Sequence, residues 1–506
     1  MLRRSSDKQP REGTYRKPRR QASKESDASM VPKKSGNLWV TPRDPMEGRG
    51  AAKGKLAQRN VHRTQGRAST PTNLARVGHK AQQEKGAQFN NLLCHIKVPL
   101  LKQAYECLRK DAAPGVDGMS WRDYGEGLEA RLLDLQDRVH RGSYHPQPVR
   151  RVYIPKGDGR SRPLGIPAVE DKVLQQAVRM VIEPIYERAF VGFSYGYRPG
   201  RSQHQALDAL AVAIGRKTNW VLEADICSFF DEIDHEWMQR FIEHRIADRR
   251  LVRLLMKWLH AGVMEDFGLK EVEAGTPQGG IISPLLANIY LHYALDLWAH
   301  QWRKKHARGD VYIVRYADDV VMGFKDGRDA RSMRKELSER MGRFSLQLHP
   351  DKTRILRFGR YAWSRSESQE LRKPLTFDFL GFTHICARDK RGWFRLQRST
   401  SRKKRQAKLA ELRRELRRRR HEPLRDTHVW LNRVLRGHYN YYGVPGNERS
   451  LWTFRNHVVH AWYRQLSRRS QRAQLTVSDQ KGIERRFPLP KPRITHPWPE
   501  QRFADR

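Results

Sequence analysis

Cysteine is scarce in this sequence. The four cysteines among 506 residues lie far apart and form no Cys-x-x-Cys pair: Cys94, Cys107, Cys227 and Cys386. Scattered thiols are typical of a protein in a reducing compartment, and they offer neither a disulfide framework nor a zinc site of ordinary spacing. Disulfide-stabilised secreted modules and cysteine-rich zinc modules are therefore excluded.

Long apolar runs are also missing. No stretch approaches the roughly 20 consecutive apolar residues that a membrane-spanning helix needs, and the first residues lack the apolar core of a secretory signal. Four acidic residues argue against a mitochondrial presequence: Asp7, Glu12, Glu25 and Asp27. We therefore expect no membrane partner and a cytoplasmic location.

Acidic residues are outnumbered by basic ones. The chain has 99 Lys and Arg against 55 Asp and Glu, which gives a formal net charge of +44. Such an excess is typical of proteins that bind polyanions, above all nucleic acids. Residues 1–87 are rich in Arg, Lys, Ser, Gly and Gln and show little apolar periodicity. We predict a disordered basic arm there, and the remaining length allows two or three domains.

Two acidic motifs accompany short apolar runs. Asp318 and Asp319 interrupt the run from Val311 to Met322, which reads as two β-strands meeting at a turn. Asp225 ends a second apolar run and precedes Asp318 by 93 positions, so any contact between them must be tertiary. By itself, an Asp-Asp pair is more often a solvated turn. Buried together, however, these carboxylates would need a cation, and oxygen ligands suit Mg²⁺.

Carboxylates from separate strands are what two-metal nucleotidyl transfer requires, because two ions must be held roughly 3.5–4 Å apart. At this point the chain resembles the reverse transcriptases, whose palm carries an Asp followed by aromatics and, downstream, Tyr-x-Asp-Asp. Further segments follow the block order of group II intron-encoded reverse transcriptases: Asp111–Gly118, Ser194–Ser202, Gly275–Tyr290, Leu348–Thr353 and Phe377–Phe382. The resemblance implies an α+β right-hand polymerase fold, with fingers and palm over residues 88–385.

The resemblance also implies roles for single residues. Two Mg²⁺ ions, for which Mn²⁺ can substitute, would be held at a metal site formed by Asp225, Ile226, Asp318 and Asp319. Phe230 would place a bulky ring beside the sugar and so exclude ribonucleotides. Gln278 would contact the incoming nucleotide and the template, and Lys352 would protonate the pyrophosphate leaving group.

Residues 150–167 read as a β-hairpin around a Lys-Gly-Asp-Gly turn. Lys156 and Arg162 would lie close together across this hairpin and could hold a triphosphate, Arg as a fork and Lys as a point charge. Basic residues on a surface hairpin are common. The fingers of reverse transcriptases carry a Lys and an Arg at matching positions, which favours the nucleotide-binding interpretation.

Residues 386–470 are expected to form an α-helical thumb, or maturase domain X. Within residues 401–420, one helical face carries Leu409, Leu412 and Leu416, and the other faces carry Arg and Lys. A solvated charged face is the usual explanation of such a run, but acidic partners at i+4 are scarce, so we favour RNA binding. Residues 431–447 interleave aromatics with Arg, His and Asn and resemble the thumb of the same intron proteins.

Residues 471–506 are short, basic and rich in Pro. We expect them to contact target DNA, and we expect no HNH endonuclease there. The sequence thus predicts an RNA-directed DNA polymerase encoded by a group II intron in a bacterial cell, associated with the nucleoid or a ribonucleoprotein. It would copy intron RNA from a DNA primer with dNTPs and assist splicing, alone or as a homodimer. Two alternatives stay open, a domesticated or defence-associated reverse transcriptase and a maturase that only binds RNA for splicing.

Overall fold

The structure is a computed structural model of the chain. It describes residues 72–84, 86–155, 161–216, 218–261, 263–265, 268–270, 279–362, 374–469 and 475–504.

The first half of the described chain mixes helices with two hairpins. In chain order the elements are α1 (Thr72–Gln83), a 3₁₀ helix (Leu92–His95), α2 (Val98–Glu106), α3 (Trp121–Gly125), α4 (Leu128–Arg141), β1 (Val149–Pro155), β2 (Ser161–Ile166), α5 (Val169–Ala189), α6 (Gln203–Arg216), β3 (Trp220–Ala224), α7 (His235–Glu243), α8 (Arg249–Leu259), β4 (Val263–Glu265) and β5 (Gly268–Lys270).

The second half ends in helices. Its elements are α9 (Ser283–Leu291), a π-helix (His292–Asp296), α10 (Leu297–Lys305), β6 (Val311–Tyr316), β7 (Asp319–Phe324), α11 (Gly327–Gly342), β8 (Arg354–Arg357), β9 (Phe377–Phe379), β10 (Phe382–Arg388), β11 (Phe394–Thr400), α12 (Arg402–Arg418), α13 (Leu424–Tyr442), α14 (Glu448–Leu466), α15 (Val477–Arg486) and α16 (Pro499–Ala504).

The central sheet is antiparallel and has the strand order β6-β7-β3-β8. Helices cover both faces of this sheet. Successive residues of a strand point to opposite faces, so neighbouring apolar residues of β3 pack against different helices. Val221 belongs to the core cluster that includes Leu210 of α6, whereas its neighbour Leu222 belongs to the cluster that includes Met333 of α11. The sheet is therefore packed on both faces, and this packing positions the loops at the ends of its strands.

A second sheet has the order β2-β1-β4-β5. β1 and β2 pair antiparallel, with Ile154 opposite Arg162, so the hairpin predicted over residues 150–167 is confirmed. Residues 156–160, which would form its turn, lie outside the described part of the chain. β1 also pairs in parallel with β4.

The predicted disordered arm over residues 1–87 is wrong at its C-terminal end. Helix α1 packs its buried residues Leu74 and Ala81 into the main core, and a Cβ added at Gly78 would lie 3.4 Å from Cβ of Pro184 in α5. Apolar residues at helical spacing give α1 one apolar face. The sequence did not indicate this helix, because basic residues are dense on either side of these apolar positions. Residues 1–71 lie outside the described part.

A third sheet, with the order β11-β10-β9, leads into the C-terminal helices. The expected boundary between residues 385 and 386 falls inside strand β10, so the helical part begins only after β11. In α12, the predicted apolar face of Leu409, Leu412 and Leu416 is buried. It shares a core cluster with apolar residues of α13 and α14.

The segment after residue 475 belongs to this helical part and is not a separate tail. Leu489 is buried in the same core cluster, and the Tyr439 hydroxyl donates to the Pro490 carbonyl at 3.0 Å. Arg502 forms an ion pair of 2.5 Å with Asp208 of α6. Apolar side chains between the prolines explain the docking. In the described part, no helix is long and apolar enough to cross a membrane.

Candidate active site

Asp318 and Asp319 lie at one end of the central sheet. Strands β6 and β7 form a hairpin whose last pair is Tyr316 with Asp319, so that Ala317 and Asp318 make the turn. Ala317 has φ 57°, in the left-handed region that tight hairpin turns require. This turn fixes both carboxylates at the sheet edge.

Asp225 reaches the same edge from the neighbouring strand. β3 runs antiparallel to β7, and Ala224 pairs with Val320. The next step of that register places Asp225 beside Asp319. The register thus brings Asp225 together with Asp318 and Asp319, which follow it in sequence by 93 and 94 positions.

Desolvation and the neighbouring carboxylates together raise the pKa of Asp319 to about 7. Desolvation is the largest cause of this increase in pKa, because protein atoms surround much of the carboxyl group. The residue nevertheless remains accessible to solvent. Repulsion from Asp318 and Asp225 adds to the increase, and Lys352 opposes it. A site of this kind favours the binding of a positive charge, because a cation relieves both effects.

Lys352 supplies one such charge. Its Nζ lies 2.5 Å from Oδ2 of Asp225. The segment that carries it is fixed to the end of β3, because the Asp225 carbonyl accepts from the His349 N–H and the Gln347 carbonyl accepts from the Cys227 N–H, both at 2.8 Å.

Ile226 forms an isolated β-bridge with Leu348. Its side chain is apolar, so only its backbone carbonyl has the chemistry of a metal ligand. Among the described residues, no three His, Cys, Asp or Glu side chains are drawn together closely enough to hold a metal ion.

Phe230 lies in the turn that follows Asp225. Its ring is half-buried and meets the ring of Phe229 edge-on, with 5.4 Å between centroids. Phe229 is buried and contacts Tyr290 of α9. One of the two rings therefore belongs to the core, while the other remains partly accessible near the acidic edge.

Three other predicted site residues cannot be placed by their side chains. Lys156 and Gln278 lie outside the described residues, and only the backbone of Arg162 is described, in β2. Next to Gln278, a Cβ added at Gly279 would lie 2.3 Å from the Gly165 carbonyl oxygen. The close approach brings this glycine against strand β2 and explains why a side chain is excluded there.

Sequence reasoning missed two groups near the acidic edge. Glu223 lies on β3, two residues before Asp225 and therefore on the same face. Burial raises its pKa, and an ion pair of 2.9 Å with Arg354 of β8 opposes the increase. The second group is the fully buried pair of Arg315 and Asp296 behind the turn. An Arg inside the apolar strand Val311–Tyr316 was the available signal.

Residues 154–384 match the family described as "Reverse transcriptase (RNA-dependent DNA polymerase)". The chain is 36% identical over 274 residues to Protein YkfC of Escherichia coli strain K12, covering 48% of this chain and 72% of that protein. It is 38% identical over 238 residues to Group II intron-encoded protein LtrA of Lactococcus lactis subsp. cremoris, covering 46% of this chain. The chain belongs to the group II intron reverse transcriptases.

The matched region of this chain covers only 39% of the length of LtrA. It is also 27% identical over 217 residues to Nuclear intron maturase 3, mitochondrial, of Arabidopsis thaliana, covering 37% of this chain and 30% of that one. The region matched by the family contains Asp225, Asp318, Asp319 and Lys352 and has a mixed α and β fold. Helices α12 to α14 lie beyond it.

Proposed function

We propose that this protein synthesises DNA on an RNA template by two-metal-ion nucleotidyl transfer. The observation that carries the proposal is the convergence of Asp225, Asp318 and Asp319 at one end of the central sheet. A structural role does not explain it, because mutual repulsion makes such a cluster costly to keep.

The donor set fits Mg²⁺. All the side-chain donors are carboxylate oxygens from two strand ends, which suit a hard divalent cation, and the increased pKa of Asp319 marks a place that favours positive charge. Asp225, Asp318 and Asp319 would hold the ions, with the Ile226 carbonyl as a further ligand. When bound, Mg²⁺ lowers the pKa of the attacking 3′-hydroxyl and stabilises the leaving pyrophosphate.

Two side chains complete the proposed site. Lys352 carries an exposed ammonium beside Asp225, where it can donate a proton to the leaving pyrophosphate. Phe230 lies close after Asp225, where its ring can fill the space that a ribonucleotide 2′-hydroxyl would need. We propose that Lys156, Arg162 and Gln278 bind the incoming dNTP.

The C-terminal helices give the proposal its RNA partner. We propose that α12 to α14 form the thumb, or maturase domain X, and bind intron RNA. Support comes from α12, whose buried face is apolar while most of its exposed residues are basic: Arg402, Lys403, Lys404, Arg413, Arg414, Arg417 and Arg418. A helix with this division can pack on one side and contact phosphates on the other.

The purified full chain should extend a DNA primer on an RNA template when Mg²⁺ and four dNTPs are supplied. Omitting Mg²⁺ or one dNTP should stop extension, the latter at the complementary template base. The absence of extension on several primer–templates, with RNA binding intact, would favour the splicing-only alternative.

A further inference from the structure

Arg315 is a charged residue of β6 that lies behind the acidic edge. It is fully buried within β6. Nε and Nη2 bond to the two carboxylate oxygens of Asp296 at 2.7 and 2.5 Å. Nη2 also donates to Ser194 Oγ at 2.8 Å, and Nη1 donates to Asn288 Oδ1 at 3.0 Å and to the Ala317 carbonyl at 2.9 Å. These contacts use all five guanidinium donors.

The contact with Ala317 connects this network to the proposed metal site. Ala317 is the first residue of the turn and directly precedes Asp318, so its carbonyl fixes the peptide that carries the carboxylate. The guanidinium therefore folds back beneath its own hairpin and holds the turn from the inner side.

The other side of the turn is closed by backbone. A Cβ added at Gly196 would lie 2.3 Å from the Ala317 nitrogen, so the backbone at Gly196 packs directly against the backbone of the turn. Asn288 connects the two sides, because its Oδ1 accepts from Arg315 while its Nδ2 donates to the Gly196 carbonyl at 2.8 Å. The turn is thus enclosed between Gly196 and Arg315.

Asp296 is the last residue of the π-helix between α9 and α10. π-helices are rare and occur often at functional sites. The Asp296–Arg315 pair is fully buried on both sides. Replacing such a pair by apolar residues is often neutral or stabilising, so stability is a poor explanation for its presence.

We propose that Arg315 and Asp296 are positioning residues that hold the Ala317–Asp318 turn in the geometry that binds the catalytic ions. This inference rests on the proposed function for its reaction, but it concerns the chain's own residues and metal affinity. Arg315 acts through the turn and touches no substrate.

Two variants separate positioning from folding. Arg315→Lys keeps the charge but loses the fork, and with it the simultaneous contacts to Asp296 and Ala317. The double variant Arg315→Met with Asp296→Leu replaces the buried pair by apolar side chains and removes the burial cost of an unpaired charge. Arg398→Met is the matched control, because Arg398 forms a similarly buried ion pair with Asp208, whose other ionic partner is Arg502 and not a residue of the turn.

The measurements are Mn²⁺ affinity by electron paramagnetic resonance, the Mg²⁺ dependence of single-turnover extension, primer–template affinity and thermal unfolding. Both test variants should bind Mn²⁺ more weakly and extend primers about tenfold to a hundredfold more slowly, because small displacements of catalytic groups have effects of this size. Their affinity for primer–template should be unchanged. Arg398→Met should lower thermal stability and leave the metal dependence unchanged.

Wild-type Mn²⁺ affinity and Mg²⁺ dependence in the folded double variant would overturn the proposal, even if Arg315→Lys fails to fold. A wild-type protein that binds Mn²⁺ but extends no primer would instead contradict the proposed function. In that case, the Mn²⁺ affinities of the variants still decide whether Arg315 positions the turn.

Discussion

The Nζ atom of Lys352 lies 2.5 Å from Oδ2 of Asp225, although 127 residues separate them in sequence. A lysine at this point can neutralise the acidic edge or deliver a proton to the reaction. The two roles differ in their effect on metal binding. A lysine that serves to neutralise Asp225 competes with a metal cation for that carboxylate, whereas a lysine that serves as a proton donor need not compete.

Replacing Lys352 by Met should slow single-turnover primer extension by about a hundredfold, which is the lower range for the loss of a general acid. Mn²⁺ affinity should not fall, because the competitor of the cation has been removed. Lys390→Met, at an exposed turn between β10 and β11, is the control. Unchanged extension in Lys352→Met would show that another group protonates the leaving pyrophosphate.

Replacing Phe230 by Val should admit ribonucleotides, because the smaller side chain leaves room for a 2′-hydroxyl. The measurement is the ratio of dNTP to rNTP incorporation efficiency at one template position. Phe229→Leu serves as the control, since Phe229 is buried and its change should lower stability without altering that ratio. Equal ratios in wild type and Phe230→Val would remove Phe230 as the sugar gate.

Neutralising the exposed Arg417 and Arg418 of α12 should weaken RNA binding. Each lost phosphate contact should lower the salt slope of log K by about 0.7–0.9. Arg419 and Arg420 are the controls, because both are half-buried, Arg419 pairs with Glu415 and Glu422 and Arg420 bonds to Gln465. Arg418 also lies 3.7 Å from Glu415, but its side chain is 82% exposed. Changing Arg419 and Arg420 should reduce stability and leave the salt slope of RNA binding unaffected. A larger change of slope in the Arg419 and Arg420 variants than in the Arg417 and Arg418 variants would show that the RNA surface lies elsewhere.

Replacing Leu489 by Ala should destabilise the helical part by about 2–4 kcal/mol, as expected for a large-to-small change in a core. Leu489 is 6% exposed, whereas the control Val477 is 69% exposed and its change to Ala should have little effect. Chemical denaturation checks both. If Leu489→Ala has no effect on stability but weakens DNA binding, the last segment is a separate nucleic-acid tail.

The sequence predicted the meeting of Asp225, Asp318 and Asp319 because each carboxylate ends or interrupts an apolar strand, and strand ends gather at a sheet edge. It did not predict the partners of Arg315, because Ser194 comes from one distant segment and Asn288 and Asp296 from another, and their polar atoms meet only in the folded core. Helix α1 was missed for a different reason: its apolar face is short and surrounded by basic residues. The docking of Leu489 was missed because a Pro-rich segment carries no helical or strand period.

In the proposed mechanism, the carboxylate of Asp318 holds catalytic ions. The direct test of this role is the single-turnover rate of primer extension at saturating Mg²⁺ in Asp318→Asn, compared with Asp310→Asn. Asp310 is exposed and lies at the opposite end of the same hairpin, so it controls for the loss of one charge. Asp318→Asn should abolish extension and keep RNA affinity, whereas Asp310→Asn should match wild type. Extension by Asp318→Asn within about tenfold of wild type would contradict the account, since the loss of a metal ligand in two-metal catalysis should be far larger.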